Sequence, residues 1–483
     1  MRSSTVFDIL VPIRVIQSNI GCFRMLGYGV GHFYNDLCAS MWFTYLMIFL
    51  ERVMYFKASA AGFLMLVGQI TDAISTPIVG MASDSSKLPV CLKRLGRRVS
   101  WHLIGTVCVT LSFPFIFNKG LLNSKINKLW QIGWYVPFIM LFQFGWASVQ
   151  ISHLALIPEL SEDSSRRSSL GSLRYNFTVL ANLFVFLGLS ALLNRDDSGG
   201  GITAADSTHF SIASIGVVVI GLITSILFYA TTKEPTDGRR LSRLNSASTS
   251  PELAKMSWTN WFSHLQFYKV SFLYMFSRLF INVSQVYFPF YITLTASFSK
   301  KYIAVLPMIS CISSFLVASL VSAPRINRLL GNKILYLFGC LFGISNCAAM
   351  YFNQTMVSII CISILIGVAQ TVVLVSVLAI TADLINRNTE SGAFVYGVMS
   401  FMDKLANGIT YQLIELLNPH LYIGLRLPSE SVSANCAVFY RCVMSFVPGA
   451  CIGLAFLVLI TLSRETVGAR TCRVRTEPGE IHI

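Results

Sequence analysis

The sequence predicts an all-α membrane protein: twelve transmembrane helices in two six-helix bundles, with both termini in the cytoplasm. Three observations lead there. Of 483 residues, 54% are apolar and only 12% charged, against about 25% charged in soluble domains. Too little polar surface remains to coat a water-soluble globule, so lipid must cover most of the outside. Apolar stretches of about 20 residues, the length that crosses a bilayer core, recur along the chain. Lys and Arg are unevenly shared among the loops between them. About 24 fall in the N-terminal segment, after even-numbered spans and in the C-terminal tail, and about nine after odd-numbered spans, the bias that keeps loops cytoplasmic.

The first six spans are placed at 28–50, 59–82, 100–118, 131–154, 175–194 and 208–231, and the second six at 267–296, 302–323, 334–352, 355–380, 392–417 and 435–463. This divides the chain into an N-terminal segment (1–27), a first bundle (28–231), a cytoplasmic linker (232–266), a second bundle (267–463) and a tail (464–483). The linker carries Lys233, Arg239, Arg240, Arg243 and Lys255 with a Ser-rich run from Ser242 to Ser250. The halves resemble one another weakly. Arg94-Leu95-Gly96-Arg97-Arg98 after the second span corresponds to Arg328-Leu329-Leu330-Gly331-Asn332-Lys333 after the eighth. Pro158-Glu159-Leu160 after the fourth corresponds to Ala382-Asp383-Leu384 after the tenth.

A net charge of +15 would suggest nucleic acid in a soluble domain. Here it reads as an orientation signal, and the expected partners are the bilayer and a small solute, with no nucleic acid. Most of the twelve cysteines, among them Cys108, Cys340, Cys347, Cys361 and Cys451, lie inside apolar spans and read as small buried residues. No CxxC pair or Cys/His cluster at zinc spacing, no nucleophile–base set and no phosphate-binding glycine loop is found, so neither cofactor nor enzymatic activity is expected. Arg2, Asp8, Arg14 and Arg24 interrupt the first residues, and no cleavable signal peptide is expected. Asn353-Gln354-Thr355 matches a glycosylation acceptor, on a loop expected to be too short for use.

Charged side chains at membrane depth cost at least about 2.5–3.5 kcal/mol each, so those that persist point to a partner or to water. In the first span His32 and Asp36 lie four apart on one helical face, with Asn35 beside them and Gly27, Gly29 and Gly31 before them. Gln69, Asp72 and Thr76 form a stripe on the second span, ended by Pro77. Gln143, Gln150 and His153 share a face of the fourth, and Arg278, Asn282 and Gln285 one of the seventh. Asp403, Asn407 and Tyr411 line the eleventh, with Lys404 alongside, and Arg441 begins the twelfth. Charges of both signs in a dry interior are best paired. Such a set suits a zwitterion, with Asp36 and Asp72 meeting an ammonium or a proton and Lys404 or Arg278 meeting a carboxylate. Asn35, Gln69, Gln150, His153 and Asn282 would supply hydrogen bonds, and His32 beside Asp36 is a candidate proton carrier. A simple cation site, a proton relay and plain helix-to-helix glue stay open on these residues alone. Glu51 and Glu415, near span ends, carry low weight. At cytoplasmic helix ends Asp84, Arg97 and Arg98, and Glu159 with Asp163, Arg167 and Arg174, are placed to pair when that face shuts and so to bias inward-open against outward-open states.

These residues resemble the glycoside–pentoside–hexuronide:cation symporter branch of the major facilitator superfamily. Pro158, Glu159, Leu160, Asp163, Arg167, Leu170 and Arg174 fit that branch's loop pattern. Asp72 to Gly80 resembles its second-helix motif, and Lys404-Leu405 after Phe401 its eleventh-helix motif. Longer runs are similar to a narrower branch of the superfamily: Gly27 to His32, Asn35 to Leu46, Trp101-His102-Leu103 with Leu111 to Phe117, and Phe144 to Ser148 with Gln150 to Leu154. That resemblance implies import of cysteine into lysosomes and melanosomes, with an effect on pigment chemistry. The chain departs from the symporter pattern at Thr76, where the family usually has a second acid for its coupling cation, and at Val99, where it has proline. The function expected is a secondary transporter of cysteine, with a proton as possible coupling ion. A cation-coupled sugar or lysolipid symporter is the alternative, and a non-transporting scaffold or sensor is the alternative of another class.

Overall fold

In hydrocarbon each backbone N–H and C=O must be paired within its own segment, so apolar runs become helices. The computed structural model describes residues 22–84, 95–119, 127–160, 164–195, 202–234, 258–321, 324–352, 355–385, 389–418, 429–463 and 467. Within them the first bundle holds α1 (Cys22–Val30), α2 (Phe33–Ile48), α3 (Ala58–Asp84), α4 (Arg97–Ile116), α5 (Lys128–Leu160), α6 (Ser164–Arg195) and α7 (Ser207–Thr231). The second holds α8 (Leu265–Phe290), α9 (Tyr302–Val321), α10 (Pro324–Phe352), α11 (Met356–Ile385), α12 (Thr389–Leu416) and α13 (Ser429–Ser463). Of the predicted linker, 235–257 lies outside the described residues and Trp258–Ser263 forms a 3-10 turn.

Among the described residues nine helices are long and apolar enough to cross a membrane. Large apolar side chains such as Ile223, Ile226, Leu316 and Leu457 are more than half exposed on the outside. An apolar surface of that extent has no place in water, and the chain is a multi-pass membrane protein. The helices that fall short of this length and apolarity include the broken α1–α2 rod, α8 and α12. These three carry His32, Asp36, Arg278, Asp403 and Lys404. Their polarity is tolerated because they lie where the bundles meet: α2 packs on α8, α3 on α12 and α6 on α9.

The weak repeat in the sequence has a structural counterpart. α2 and α8 each run into a π-helical turn, Phe49–Val53 and Tyr291–Thr295. Each turn is followed by a left-handed residue, Tyr55 (φ 52°) and Ser297 (φ 55°). Gly96 (φ 93°) and Gly331 (φ 72°), the glycines of the two matching loops, are the positive-φ glycines of the described chain, a conformation that glycine adopts without steric cost. Partners correspond too: Arg97 Nη2 lies 3.8 Å from Glu159 Oε1 in the first half, and Asn332 Nδ2 lies 2.8 Å from Asp383 Oδ2 in the second. The ends of α3, α5 and α7 meet the start of α4 on one face, which we term the terminal face. Glu51, Asp206, Lys300 and Glu415 mark the far face.

Candidate functional site

Asp72 is 14 residues into α3, about 20 Å along it at 1.5 Å per residue, and therefore at mid-depth. From α12 in the other bundle, Lys404 Nζ reaches Asp72 Oδ1 at 2.8 Å and Thr76 Oγ1 at 2.7 Å. The Thr76 hydroxyl donates to the Asp72 carbonyl at 2.8 Å, one turn back. The second-span stripe thus becomes a cradle for a cation, and the cation present is a side chain of the opposite bundle. Close packing holds it. A Cβ on Gly408 would come within 2.9 Å of Leu66 and 3.0 Å of Gln69, so α12 approaches α3 more closely than any other residue would permit.

A second pair joins helices within the second bundle. Arg278 Nε donates to Asp403 Oδ2 at 3.1 Å. Asn407 Nδ2 donates to Asp403 Oδ1 at 2.6 Å, and Tyr411 OH to Asn407 Oδ1 at 3.4 Å. Asp403 is thus multiply satisfied and buried, whereas the Arg278 side chain is 26% exposed.

The third cluster surrounds the break between α1 and α2. The chain turns at Gly31–His32, with Gly31 N–H donating to the Tyr28 carbonyl at 3.0 Å. Helix ends leave carbonyls to be satisfied from outside. Here His153 Nε2 lies 2.8 Å from the Tyr28 carbonyl and His102 Nε2 3.0 Å from that of Gly31. Tyr28 stacks on His153 with ring centroids 4.2 Å apart. Polar partners from α4 and α5 therefore supply what the broken rod lacks. On the other side of the break, Arg174 Nη2 lies 3.0 Å from His32 Nε2, and His32 Nδ1 lies 2.9 Å from Asp36 Oδ2. Arginine can only donate, so His32 accepts at Nε2 and holds its proton on Nδ1, facing Asp36. Thr178 donates to the same Asp36 oxygen at 2.9 Å.

Thr178 is the link to open space. A cavity of about 160 Å³ lies between the bundles, walled by α2, α6, α8, α9 and α11. Its polar lining is Thr44, Tyr175, Thr178, Asn182, Ser284, Gln285, Ser310, Ser314 and Gln370, with Cys311 among them. Gln285 Nε2 donates across the bundles to Thr44 Oγ1 at 3.2 Å. The lining side chains are neutral, and Asp36 stands directly behind Thr178. Because Cys311 faces this space, a membrane-impermeant methanethiosulfonate reagent is expected to inhibit transport in the wild type. Cys311→Ala should remove that sensitivity, measured as uptake before and after treatment.

The structure thus brings His32, Asn35, Asp36, His153 and Arg174 into one cluster, Asp72, Thr76 and Lys404 into a second, and Arg278, Asp403 and Asn407 into a third. Asp36 and Asp72 do not meet in one pocket, and Lys404 faces Asp72 rather than the cavity. Gln69 and Asn282 are buried in α3 and α8, and Gln150 Oε1 accepts from Trp146 Nε1 at 2.9 Å. Sequence reasoning missed Asn182, Ser310 and Gln370 in the lining; each is a polar residue on an apolar helix, the signal that marked other candidates. It also missed His102 as a partner of the break.

On the terminal face Glu159 gathers Arg98 (3.3 Å) and Arg97 (3.8 Å), and Arg98 Nη1 donates to Ser83 Oγ at 2.6 Å. Asp163 lies outside the described residues, as do the side chains of Asp84 and Arg167; Arg174 pairs with His32 instead. An acid absent from the sequence reading completes this face. Glu234 Oε2 accepts from the N–H groups of Arg98 (2.7 Å) and Val99 (3.3 Å), capping α4 where a negative charge is favoured. Burial, and then the neighbouring Glu159 carboxylate, push Glu234 above the usual carboxylate range. The folded protein therefore holds a proton there that the unfolded chain has released. That contribution is full below the unfolded carboxyl value of about 4.3 and is lost as pH rises through the folded value. Glu234→Gln, which still accepts the amide protons, is expected to flatten the fall in thermal stability over this window. Glu234→Ala should lose about 1 kcal/mol with the cap. Thermal unfolding of detergent-purified protein across a pH series checks both.

Two helical bundles that meet around a polar cavity and share an ion pair at mid-depth define a membrane carrier. The MFS/sugar transport protein family matches residues 27–464, and the chain belongs to that family of major facilitator transporters. It is 39% identical over 456 residues to human major facilitator superfamily domain-containing protein 12, covering 90% of this chain and 92% of that one. It is 24% identical over 259 residues to the isoprimeverose transporter of Lactiplantibacillus pentosus, covering 53% of this chain and 51% of that one. Its fold is similar to a bacterial homologue of the human lysosomal transporter Spinster, solved inward-facing and occupied. The TM-score there is 0.62 at 13% identity, over 94% of this chain and 98% of that one.

Proposed function

We propose that the chain is a twelve-span secondary transporter that carries cysteine into lysosomes and melanosomes by alternating access, and so influences pigment synthesis. The observation that carries the proposal is the cavity between the bundles, with Asp36 bonded to its lining residue Thr178. At about 160 Å³ it is smaller than the roughly 300 Å³ at which pockets for drug-sized ligands begin, which favours a small solute over a lysolipid. Gln285, Asn182, Ser284 and Gln370 offer amides and hydroxyls to such a solute. Asp36 lies close enough to attract an ammonium, and the His32 proton facing it offers a route for a coupling proton. The organelle and the solute's identity draw on the resemblance of the first, second and fourth spans to the cysteine-importing branch.

In this reading both termini lie in the cytosol, as the Lys and Arg asymmetry supports, and the far face is lumenal. The cross-bundle bonds Lys404–Asp72, Lys300–Asp206 (2.7 Å) and Tyr440–Glu51 (3.3 Å) lie at mid-depth or beyond it toward that face. The chain is thus shut toward the lumen and would open there when those bonds part.

A sugar symporter is the second reading, supported by the likeness to the isoprimeverose transporter and by the neutral cavity lining. Radiolabelled cysteine uptake into organelles from cells with and without the protein, with competing amino acids and glycosides at varied pH, decides between them. Saturable cysteine uptake insensitive to glycosides is expected. Sodium-stimulated glycoside uptake without cysteine uptake would give the site to the second reading.

A further inference from the structure

The far face holds a buried polar cluster that the central cavity does not touch. Glu51 lies in the π-helical turn after α2 and Glu415 at the end of α12, so they come from opposite bundles. They are 8% and 0% exposed and joined through Asn418, which donates to Glu415 Oε2 and to the Tyr440 hydroxyl beside Glu51. Two ionised carboxylates are acceptors only and repel one another inside so buried a network, which a proton on one of them relieves. Glu51 Oε2 lies 3.3 Å from the Tyr440 hydroxyl, and Glu415 Oε2 accepts from Asn418 Nδ2 at 3.0 Å. Oε1 of each acid has no hydrogen-bond partner among the described residues.

The surroundings fix the charge balance. Arg52, next to Glu51, faces the cluster from the same turn, Tyr287 from α8, and Tyr440 and Cys436 from α13. With one shared proton the two acids and Arg52 sum to zero. With none, like charges repel inside a buried seam. Space does not relieve this, because a Cβ on Gly62 of α3 would already come within 2.9 Å of Gln412 Oε1 and 3.0 Å of Glu415 Cβ.

We propose that Glu51 and Glu415 bind one proton between the two bundles, that this proton holds the far face shut, and that its release accompanies opening there. The inference rests on the transporter reading and gives its conformational cycle a proton site apart from the cavity. The closed form holds one proton more than the open form, in which both acids meet water and ionise. Acid therefore favours closure, and the closed-to-open ratio falls by at most about tenfold per pH unit as pH rises. The nearby Lys300–Asp206 latch, 2.7 Å long, joins the same faces without a shared proton and serves as the control.

The test uses the full-length protein in lipid nanodiscs, without solute. Spin labels at Leu129 and Val357, each 73% exposed and at the far ends of opposite bundles, report the gap by dipolar spectroscopy. The wild type is expected to show a short distance in acid and a growing long-distance population toward neutral pH. Glu415→Gln and Glu51→Gln, whose amides donate permanently, should each stay short at every pH. Lys300→Ala should open more at every pH yet keep the wild-type slope. Loss of the pH response in both Gln variants supports the proton site even in a preparation that takes up nothing. Wild-type distances that ignore pH, or Gln variants that keep the wild-type response, overturn it even in a preparation that transports.

Discussion

Asp72→Asn is expected to abolish uptake, out of proportion to its effect on the amount of folded protein at the membrane. Asparagine keeps an oxygen for Lys404, and Thr76 still accepts from the ammonium, but the buried cation loses its counter-charge. Removing one partner of a buried ion pair costs about 3–5 kcal/mol. The Asp72 and Lys404 side chains are 10% and 12% exposed, so solvent relieves little of this. The transport argument is separate. The pair joins α3 of one bundle to α12 of the other, and the bundles cannot rock apart unless something takes Lys404's place at Asp72. An ammonium or a proton can do so, and a neutral amide at that position would have no preference for either. The double variant Asp72→Asn with Lys404→Gln separates the two roles. It should recover thermal stability in detergent, because no unpaired charge is left, and should still fail to transport. If the pair were only glue between helices, the double variant would recover both.

Arg278→Ala is expected to destabilise the second bundle more than Asp403→Asn. The two partners are unequally buried: Asp403 is 5% exposed at its side chain and Arg278 26%. Without Arg278 a carboxylate stays in a dry site, held by Asn407, at a cost of about 3–5 kcal/mol. Without the negative charge of Asp403, the guanidinium still donates to the amide oxygen and turns toward water from the quarter of it already exposed. Thermal unfolding of the two variants side by side checks the order. Equal losses would mean that the pair's mutual attraction, rather than the desolvation of Asp403, sets its contribution.

Helix positions were legible because lipid demands long apolar runs and loops between them. The break in the first rod was foreshadowed by Gly27, Gly29 and Gly31, but not its repair, since His102 and His153 reach it from α4 and α5 and no spacing rule links those positions. Asp72 with Thr76 and Lys404 beside Asp403 stood out as charges in apolar surroundings. Their pairing across bundles did not, because it depends on the contact of α3 with α12. Glu51 and Glu415 were underweighted for the same reason. Each sits near the end of its span, where an acid in a single helix reads as facing water. Burial comes from packing against other helices, with Tyr440 of the second bundle set against Glu51 and α3 of the first against Glu415, which leaves them 8% and 0% exposed. Glu234 gave no signal in the sequence, since an acid that caps a helix 136 positions away leaves no local pattern.

The measurement closest to the central claim is solute counterflow in proteoliposomes made with the purified protein. Vesicles loaded with unlabelled cysteine and diluted into trace labelled cysteine should accumulate label transiently above its external level, as only a carrier with one alternately exposed site can do. The Asp72→Asn and Lys404→Gln double variant, folded to the same extent, should not. Vesicles that show no counterflow of cysteine, of other small amino acids or of sugars, with protein shown to be folded and inserted, would contradict a carrier built around the cavity between these bundles.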